Sequence, residues 1–206
     1  MAESIILNGS SGIDTSLQGV LGSAKMTSWS NTPVWSYALQ AYVPASQPTD
    51  VIVIRGSATK TLKIQSIIIS AESNTASALS ASIIRRTTAP TGGTSTTLIG
   101  TPHDISDGSA SASVSFYTVN PTVGTVYGAG NGFLGCQQLI CGNNGAVQAI
   151  PVKWNFGGEM DVKPIILRGI NDYICISLGG ASYTAIAALK LDIEIDIEED
   201  NSLTGG

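Results

Sequence analysis

Short stretches of aliphatic and β-branched residues, separated by glycine, proline, asparagine and aspartate, make up most of the chain after residue 48. Because each stretch ends at a turn signal after a few residues, the pattern predicts strands rather than helices. Parallel strands would need intervening helices of about ten residues or more, so the pattern favours an all-β fold, an antiparallel β-sandwich with a jelly-roll-like topology. The predicted strands are Val51 to Arg55, Leu62 to Ser70, Leu79 to Arg86, Ser113 to Val119, Ala146 to Phe156, Pro164 to Arg168, Tyr173 to Leu178 and Ala185 to Ile197.

The most regular alternation of apolar and charged residues lies near the C-terminus. There the aliphatic residues Leu189, Leu191, Ile193, Ile195 and Ile197 alternate with Lys190, Asp192, Glu194, Asp196 and Glu198. This predicts a strand with one face in the core and one acidic face in water. A shift of one residue would bring the acids into the core, so the register is strongly fixed.

The first 48 residues differ from the rest of the chain. They are rich in glycine, serine and asparagine, their periodicity is weak, and they contain two of the three tryptophans. We predict an extended N-terminal arm whose aromatic side chains bind a surface, namely Trp29, Trp35, Tyr37 and Tyr42. A first strand with ordinary loops of the same domain is the alternative. The predicted organisation is an arm at 1–48, a sandwich domain at 49–199 and a tail at 200–206.

Charge is scarce in this sequence and concentrated in one place. Charged residues make up 12% of the chain and mean hydropathy is +0.23. A surface with so few charges predicts association, with neighbouring subunits covering much of it. The net charge of −5 comes from the segment 192–200, which carries six of the 15 acids. The remaining acids balance the ten lysines and arginines, so no basic surface for nucleic acid is predicted.

The sequence also lacks the signals of export and of membrane insertion. No apolar run approaches the roughly 18 residues of a membrane span. The first residues lack a basic segment followed by an apolar one, as a secretory signal would have. We therefore expect synthesis in the cytoplasm and no membrane partner.

Three cysteines are present, Cys136, Cys141 and Cys175, and an odd number leaves one thiol unpaired. Buried thiols are the simplest interpretation. Cys136 and Cys141 bracket a predicted hairpin at Gln137 to Ile140, which would bring them close enough to oxidise in a released particle. Further cysteine or histidine ligands at zinc spacing are missing, so no metal site is predicted.

The single histidine, His103, limits the catalytic arrangements that the sequence allows. Any Ser-His-Asp or Cys-His arrangement must use it, and Asp104, the adjacent carboxylate, points away from it in an extended chain. We predict a structural or interfacial role for both residues, with a pH-sensitive contact at His103. Glycine clusters such as Gly92-Gly93 lack the lysine and the following helix of a phosphate loop. No cofactor, small-molecule substrate or enzymatic activity is predicted.

Arg85 and Arg86 end a predicted strand and therefore project from opposite faces. Solvated cations at a strand end are one interpretation. The other is that one guanidinium forks onto a carboxylate of its own subunit or of the next, because arginine makes two parallel hydrogen bonds to such a group. Asp104 or the acidic face of the last predicted strand would supply that carboxylate.

Several short motifs occur in a fixed order along the chain. They are Ile83-Ile84-Arg85-Arg86 in a strand, Thr91-Gly92-Gly93-Thr94-Ser95 as a turn leading into a further strand, Pro102-His103-Asp104, Trp154-Asn155-Phe156-Gly157, and Ile165-Ile166-Leu167-Arg168-Gly169. Together they resemble a family of small virion structural proteins of tailed bacteriophages, over about residues 60 to 199. Trp154 and Phe156 fall on one side of a strand and are predicted to be core residues.

The resemblance implies a non-enzymatic β-sandwich protein of a phage particle. Its most specific implication is a cement or decoration protein, bound as a homotrimer to the outside of the shell of major capsid protein. Trp29, Trp35, Tyr37, Tyr42, Arg85, Arg86, His103 and Asp104 are the candidate interface residues. A tail, neck or baseplate component is the second interpretation, and a carbohydrate-binding module for host recognition is the third.

Overall fold

A computed structural model describes residues 32–128, 130, 132–143, 149–156, 163–179 and 186–200. They belong to one compact unit that begins at Thr32. Trp29, most of the predicted arm and all but the first residue of the predicted tail lie outside the described residues. Within the described residues there is no helix, and the strands are β1 (Val34–Tyr42), β2 (Asp50–Arg55), β3 (Thr61–Ser73), β4 (Ser77–Arg86), β5 (Thr94–Leu98), β6 (Thr101–Pro102), β7 (Ser113–Val119), β8 (Phe133–Asn143), β9 (Val152–Asn155), β10 (Ile165–Arg168), β11 (Tyr173–Ser177) and β12 (Lys190–Asp200).

The strands form one mixed, curled sheet in the order β5-β7-β2-β11-β4-β8-β3-β12-β1-β6. β3 is 13 residues long and pairs with β12 along one edge. Its other edge is shared by β10, β9 and β8, each of which covers a different part. The β3–β8 pair is parallel, whereas the other pairs are antiparallel. The all-β prediction is confirmed, but the parallel β3–β8 pair makes the sheet mixed rather than wholly antiparallel as predicted.

Most of the predicted strands are found close to their predicted positions. The predictions of β2, β3, β4, β7, β10 and β11 from short apolar segments between turn residues are confirmed, and so is the strand β5 after the Gly92-Gly93 turn. The predicted strand at 146–156 is reduced to β9, with its first residues outside the described part. The last strand begins five residues later than predicted and continues to Asp200.

Isoleucine and leucine side chains fill the inner side of the curled sheet with one continuous core. The aliphatic residues of the last strand contribute Leu189, Leu191, Ile193, Ile195 and Ile197, all buried as predicted. Trp154 is also buried, and Phe156 packs against the core from its edge. Burial of each large aliphatic side chain contributes about 1.5–3 kcal/mol before conformational entropy is subtracted.

Residues 34–42, predicted as part of an arm, are instead the strand β1 of the sheet. β1 pairs with β12 from Val34 to Tyr42, with a bulge between Leu39 and Tyr42. Its aromatic side chains point inward, so that Trp35, Tyr37 and Tyr42 are at most 4% exposed. The boundary predicted at residue 48 is therefore wrong for this segment, and these three residues are core residues rather than exposed anchors.

Tyr37 and Tyr42 on β1, near one end of the sheet order, contact residues in or next to β7, near the other end. The Tyr37 hydroxyl donates to the Ala112 carbonyl at 3.3 Å, and the Tyr42 hydroxyl donates to the Tyr117 carbonyl on β7. The Tyr42 ring also meets the Phe116 ring edge-on, with centroids 5.5 Å apart. Burial raises the pKa of both tyrosines, so both hydroxyls remain protonated donors over the physiological range. These contacts hold β1 against β7 although the two strands are not paired.

Glu199 on β12 is an acid that faces inward, at a position where the alternation up to Glu198 would place an aliphatic residue. Glu199 is fully buried, and its carboxylate accepts hydrogen bonds from the backbone N–H groups of Ser111 and Ala112 at 2.6 and 2.7 Å. The Lys60 ammonium lies 3.1 Å from the same carboxylate. A buried carboxylate needs such donors, because isolated burial of the charge would cost several kcal/mol.

Candidate functional site

The Pro-His-Asp loop, residues 99–106, carries the two most exposed large aliphatic side chains among the described residues. Ile99 is 90% exposed and Ile105 is 97% exposed. Side chains of this size in full contact with water gain free energy when a partner covers them. The loop directly follows β5 and includes β6, the two end strands of the sheet order, and therefore lies where the ends of the sheet approach each other.

Backbone contacts hold this loop against the sheet. Pro102 and Thr101 pair with β1, and the His103 N–H donates to the Val34 carbonyl at 2.9 Å. Gly100 lies against the Tyr37 ring, where a Cβ atom would come within 2.7 Å of a ring carbon. Only glycine allows the chain to pass this close to the ring.

Asp104 orders the outer part of the same loop. Its Oδ1 accepts hydrogen bonds from the Ser106 N–H at 2.9 Å and from the Ser106 hydroxyl at 2.8 Å. The backbone hydrogen bond, followed by that of the hydroxyl, lowers the pKa of Asp104 and keeps it ionised near neutral pH. The isoleucines on either side are thus presented by a loop with a defined conformation.

His103 lies in a polar cluster at the base of the loop, together with Ser36 on β1, Asp196 on β12 and Ser66 on β3. The Ser36 hydroxyl is 2.7 Å from His103 Nε2 and donates to Asp196 Oδ1 at 2.5 Å. The Ser66 hydroxyl donates to the other oxygen of Asp196 at 2.8 Å. His103 Nε2 is 3.8 Å from Asp196 Oδ1. The cluster therefore connects the loop to three neighbouring strands.

Ser36, His103 and Asp196 are the residue types of a hydrolytic triad, but they contact each other in a different order. The Ser36 hydroxyl donates its single proton to Asp196 Oδ1 and therefore has no second proton to donate to His103 Nε2. In a triad the serine instead donates its proton to the imidazole nitrogen that acts as the general base. The carboxylate also lies beside the serine rather than on the second imidazole nitrogen. The arrangement is suited to holding the loop, and the pH-sensitive contact at His103 stays a prediction.

The two arginines project from opposite faces of β4, as predicted, and each binds a carboxylate. Arg86 lies 2.6 Å from Asp50 through Nη2 and donates through Nη1 to the Gly124 carbonyl at 2.8 Å. Both side chains of this pair are buried. Burial alone would lower the pKa of Arg86, but the hydrogen bond and charge of Asp50 outweigh burial and raise it.

Arg85 makes the more exposed of the two pairs. Its Nη1 lies 2.5 Å from Asp172, and its Nη2 donates to the Ile166 carbonyl at 2.8 Å. The predicted carboxylate partners, Asp104 and the acidic face of β12, are therefore wrong for both arginines. The reason is topological: Asp50 is on β2 and Asp172 directly precedes β11, near β4 in the sheet, whereas Asp104 lies beside β6 at the end of the order.

A shallow cleft of about 460 Å³ lies beside Arg85, where β10 and β8 diverge. Phe156 and Leu134 line its apolar side, and Lys163 and Arg168 lie at its exposed side. Arg85 is already bound to Asp172 and to a carbonyl, so it does not offer a free cation to a ligand. We assign no function to this cleft.

The predicted hairpin between Cys136 and Cys141 is wrong, because both residues lie in the continuous strand β8. The two cysteines are five residues apart along the strand, so their Cα atoms are about 16 Å apart. A disulfide allows a Cα separation of only roughly 7 Å. The odd spacing also directs them to opposite faces, with Cys136 exposed and Cys141 buried, and all three cysteines are free thiols. Burial raises the pKa of Cys141 and of Cys175.

Thiol labelling should therefore distinguish Cys136 from the other two cysteines. In the folded protein a maleimide is expected to modify one thiol per chain, because only Cys136 is accessible and because burial keeps the other two protonated. Three thiols should react after denaturation. Intact-mass spectrometry measures both numbers, and the Cys136→Ser variant, as the control, should lose the rapid reaction. Rapid labelling of Cys141 in the folded protein would contradict its burial.

The described part of the chain has neither a metal-ligand cluster nor a membrane-spanning helix. None of its histidine, cysteine, aspartate and glutamate residues form a group of three or more that could hold a metal ion. In the same residues, no helix is long and apolar enough to cross a membrane.

A scan against protein-family models, a search of curated proteins and a search of solved structures each found no match to this chain. Inferences about function therefore depend on the residues themselves and on the geometry of the loop, the polar cluster and the sheet edges.

Proposed function

We propose that this protein is a non-enzymatic structural component of a tailed-bacteriophage virion, and specifically a cement or decoration protein on the outer surface of the capsid shell. The observation that carries the proposal is the Pro-His-Asp loop, which presents Ile99 and Ile105 to solvent from an anchored backbone. An ordered loop of this kind loses little conformational entropy when it binds a partner. Burial of the two isoleucines would contribute about 1.5–3 kcal/mol each.

The low charge of the chain also supports a protein that functions in an assembly. With 12% charged residues, the surface has few of the groups that keep a free protein monomeric. The motifs that resemble the phage family occupy positions with structural roles: Arg85 and Arg86 pair inside the fold, Gly92-Gly93 leads into β5, and His103 secures the exposed loop. None of these roles requires a substrate.

In this proposal the protein stabilises the shell by bridging it. A homotrimer would contact several shell subunits at once, so that their separation would require all contacts to break together. The curled sheet would serve as the jelly-roll-like body, the loop as a shell contact, and Trp29 in the N-terminal segment as a further anchor. The protein would be present in the host cytoplasm during assembly and on the virion afterwards.

A quantitative mass-spectrometric inventory of purified particles tests this proposal. Virions are separated into heads and tails, and peptides of this chain are quantified against the major capsid protein in each fraction. We expect the peptides in heads, at a fixed ratio to the capsid protein. Recovery in the tail fraction alone would replace the cement role with the tail, neck or baseplate role. Absence from both fractions would overturn the virion assignment.

A further inference from the structure

The strand β5 has an open edge. Within the described residues it pairs only with β7, and it is the first strand of the sheet order. The side chains of Thr94, Ser95, Thr96 and Thr97 are all exposed, so both faces of the strand as well as its edge are in water. Such an edge presents unpaired backbone N–H and C=O groups that another strand can bind.

Other strands with a free edge in the described structure each carry a feature that discourages edge pairing, whereas β5 has neither charge nor proline. β9 and β10 each follow a proline and carry a cation, Lys153 in the first and Arg168 in the second. β6 has only two residues, one of them proline. β1 is interrupted by its bulge, where Ala41 has φ +51°. Charge, proline, short length and bulges are the usual means by which proteins prevent edge pairing.

The second edge of β8 is partly occupied rather than open. Ile140 forms a bridge with Ile150, and the end of β8 pairs with β3. Trp154 covers Gly135, where a Cβ atom would lie 2.8 Å from the indole nitrogen. β5, in contrast, is an uncharged Thr-Ser-Thr-Thr sequence of high β propensity without proline. Its pairing irregularity is confined to Thr94 and Ser95 at one end.

We propose that β5 pairs antiparallel with β5 of a second copy of this chain, which extends the sheet across a two-fold axis. An antiparallel edge is complementary to itself under a two-fold rotation, because each strand offers the other the same set of donors and acceptors. The strand carries no charge, so its copy is not repelled. Contact between the outer faces of two β12 strands would be unfavourable, because Asp192 and Glu194 would lie opposite like charges.

This inference requires only a second copy of the chain and does not rest on the virion proposal. In a lattice of trimers, a two-fold contact of this kind would connect neighbouring trimers. If the β5 contact were absent, the result of the mass-spectrometric inventory of heads and tails would not change. Conversely, the chain could be absent from virions and still associate through β5.

Sedimentation equilibrium of the full-length chain tests the contact. We expect reversible association in which Thr96→Lys weakens the β5-dependent step by more than about tenfold, because the two paired strands would then bring two like charges close together at the middle of β5. The matched control is Ser80→Lys on β4, an exposed hydroxyl residue on a strand away from β5 in the sheet order, and it should associate like the unmodified chain. A chain that stays monomeric up to roughly 1 mM would overturn the proposal, since weaker pairing has no stable product. Equal weakening by both lysines would also overturn it.

Cysteine crosslinking supplies a second readout that does not depend on the strength of association. In a Cys136→Ser background, each residue from Thr94 to Thr97 is replaced by cysteine and oxidised under mild conditions. Residues facing each other across the axis would have Cα atoms about 4.5–5.5 Å apart, within disulfide range. Only the residue on a two-fold axis lies opposite its own copy in an antiparallel pair, so we expect one position to give a crosslinked dimer, with Ser80→Cys on β4 unreactive. Uniform crosslinking at all positions, or none, would contradict a fixed β5–β5 register.

Discussion

Replacement of Arg86 by methionine is expected to lower the free energy of unfolding by about 3–5 kcal/mol. Asp50 is 0% exposed and Arg86 is 5% exposed, so this ion pair is separated from water. Removal of the guanidinium would leave the Asp50 carboxylate buried without its counter-charge and would also leave the Gly124 carbonyl without its donor. The cost comes from the charge that remains buried, not from the modest net attraction of the pair.

The neighbouring residue provides the matched control. Arg85→Met removes the same side chain from the adjacent position, but the pair with Asp172 is about one-fifth exposed on both sides. Water can replace the lost interaction there, so we expect a loss of about 1 kcal/mol or less. Urea unfolding followed by circular dichroism measures both values.

A double variant separates the buried charge from side-chain packing. Asp50→Leu combined with Arg86→Met removes both charges together, and we expect it to recover most of the stability lost in Arg86→Met alone. Losses of equal size in the Arg85 and Arg86 variants would contradict the burial that distinguishes the two pairs.

Alternation of apolar and polar residues was sufficient to locate the strands that have one buried face and one wet face. β12 is the clearest example, because its aliphatic and charged residues alternate without interruption up to Glu198. For β1 the sequence leaves both an arm and a first strand open, because the bulge breaks the two-residue period between Leu39 and Tyr42, and serine and glutamine occupy its outward positions. β8 was interpreted as a hairpin because glycine, cysteine and two glutamines interrupt its apolar pattern.

Local sequence patterns do not reveal most contacts of the candidate site, because these contacts join residues far apart in the sequence. His103 and Asp104 could be identified as a turn with a structural role, and the backbone of the loop agrees with that interpretation. The partners of His103 could not be identified, since Ser36 and Asp196 are 160 residues apart and meet only through the pairing of β1 with β12. The partners of Arg85 and Arg86 depend in the same way on which strands lie near β4. The exposure of Ile99 and Ile105 likewise follows from where the loop leaves the sheet.

The second large effect is expected for the double variant Ile99→Asp with Ile105→Asp, which should bind capsid shells at least about 100-fold more weakly. Contact residues of this kind that are central to an interface contribute about 2 kcal/mol or more each, and aspartate would in addition bury a charge. The free energy of unfolding should change little, because both side chains are almost fully exposed in the free protein. Ile150→Asp is the matched control, since Ile150 is also an exposed isoleucine, at 59%, but lies outside the loop.

Co-sedimentation of the purified chain with shells assembled from the major capsid protein of the same genome measures this most directly. We expect the unmodified chain and Ile150→Asp to pellet with shells to the same saturating ratio, while the double variant stays in the supernatant with an unchanged circular dichroism spectrum. If the unmodified chain remains in the supernatant, or if the folded double variant pellets as fully as the unmodified chain, the Pro-His-Asp loop is not the surface through which this protein joins a shell.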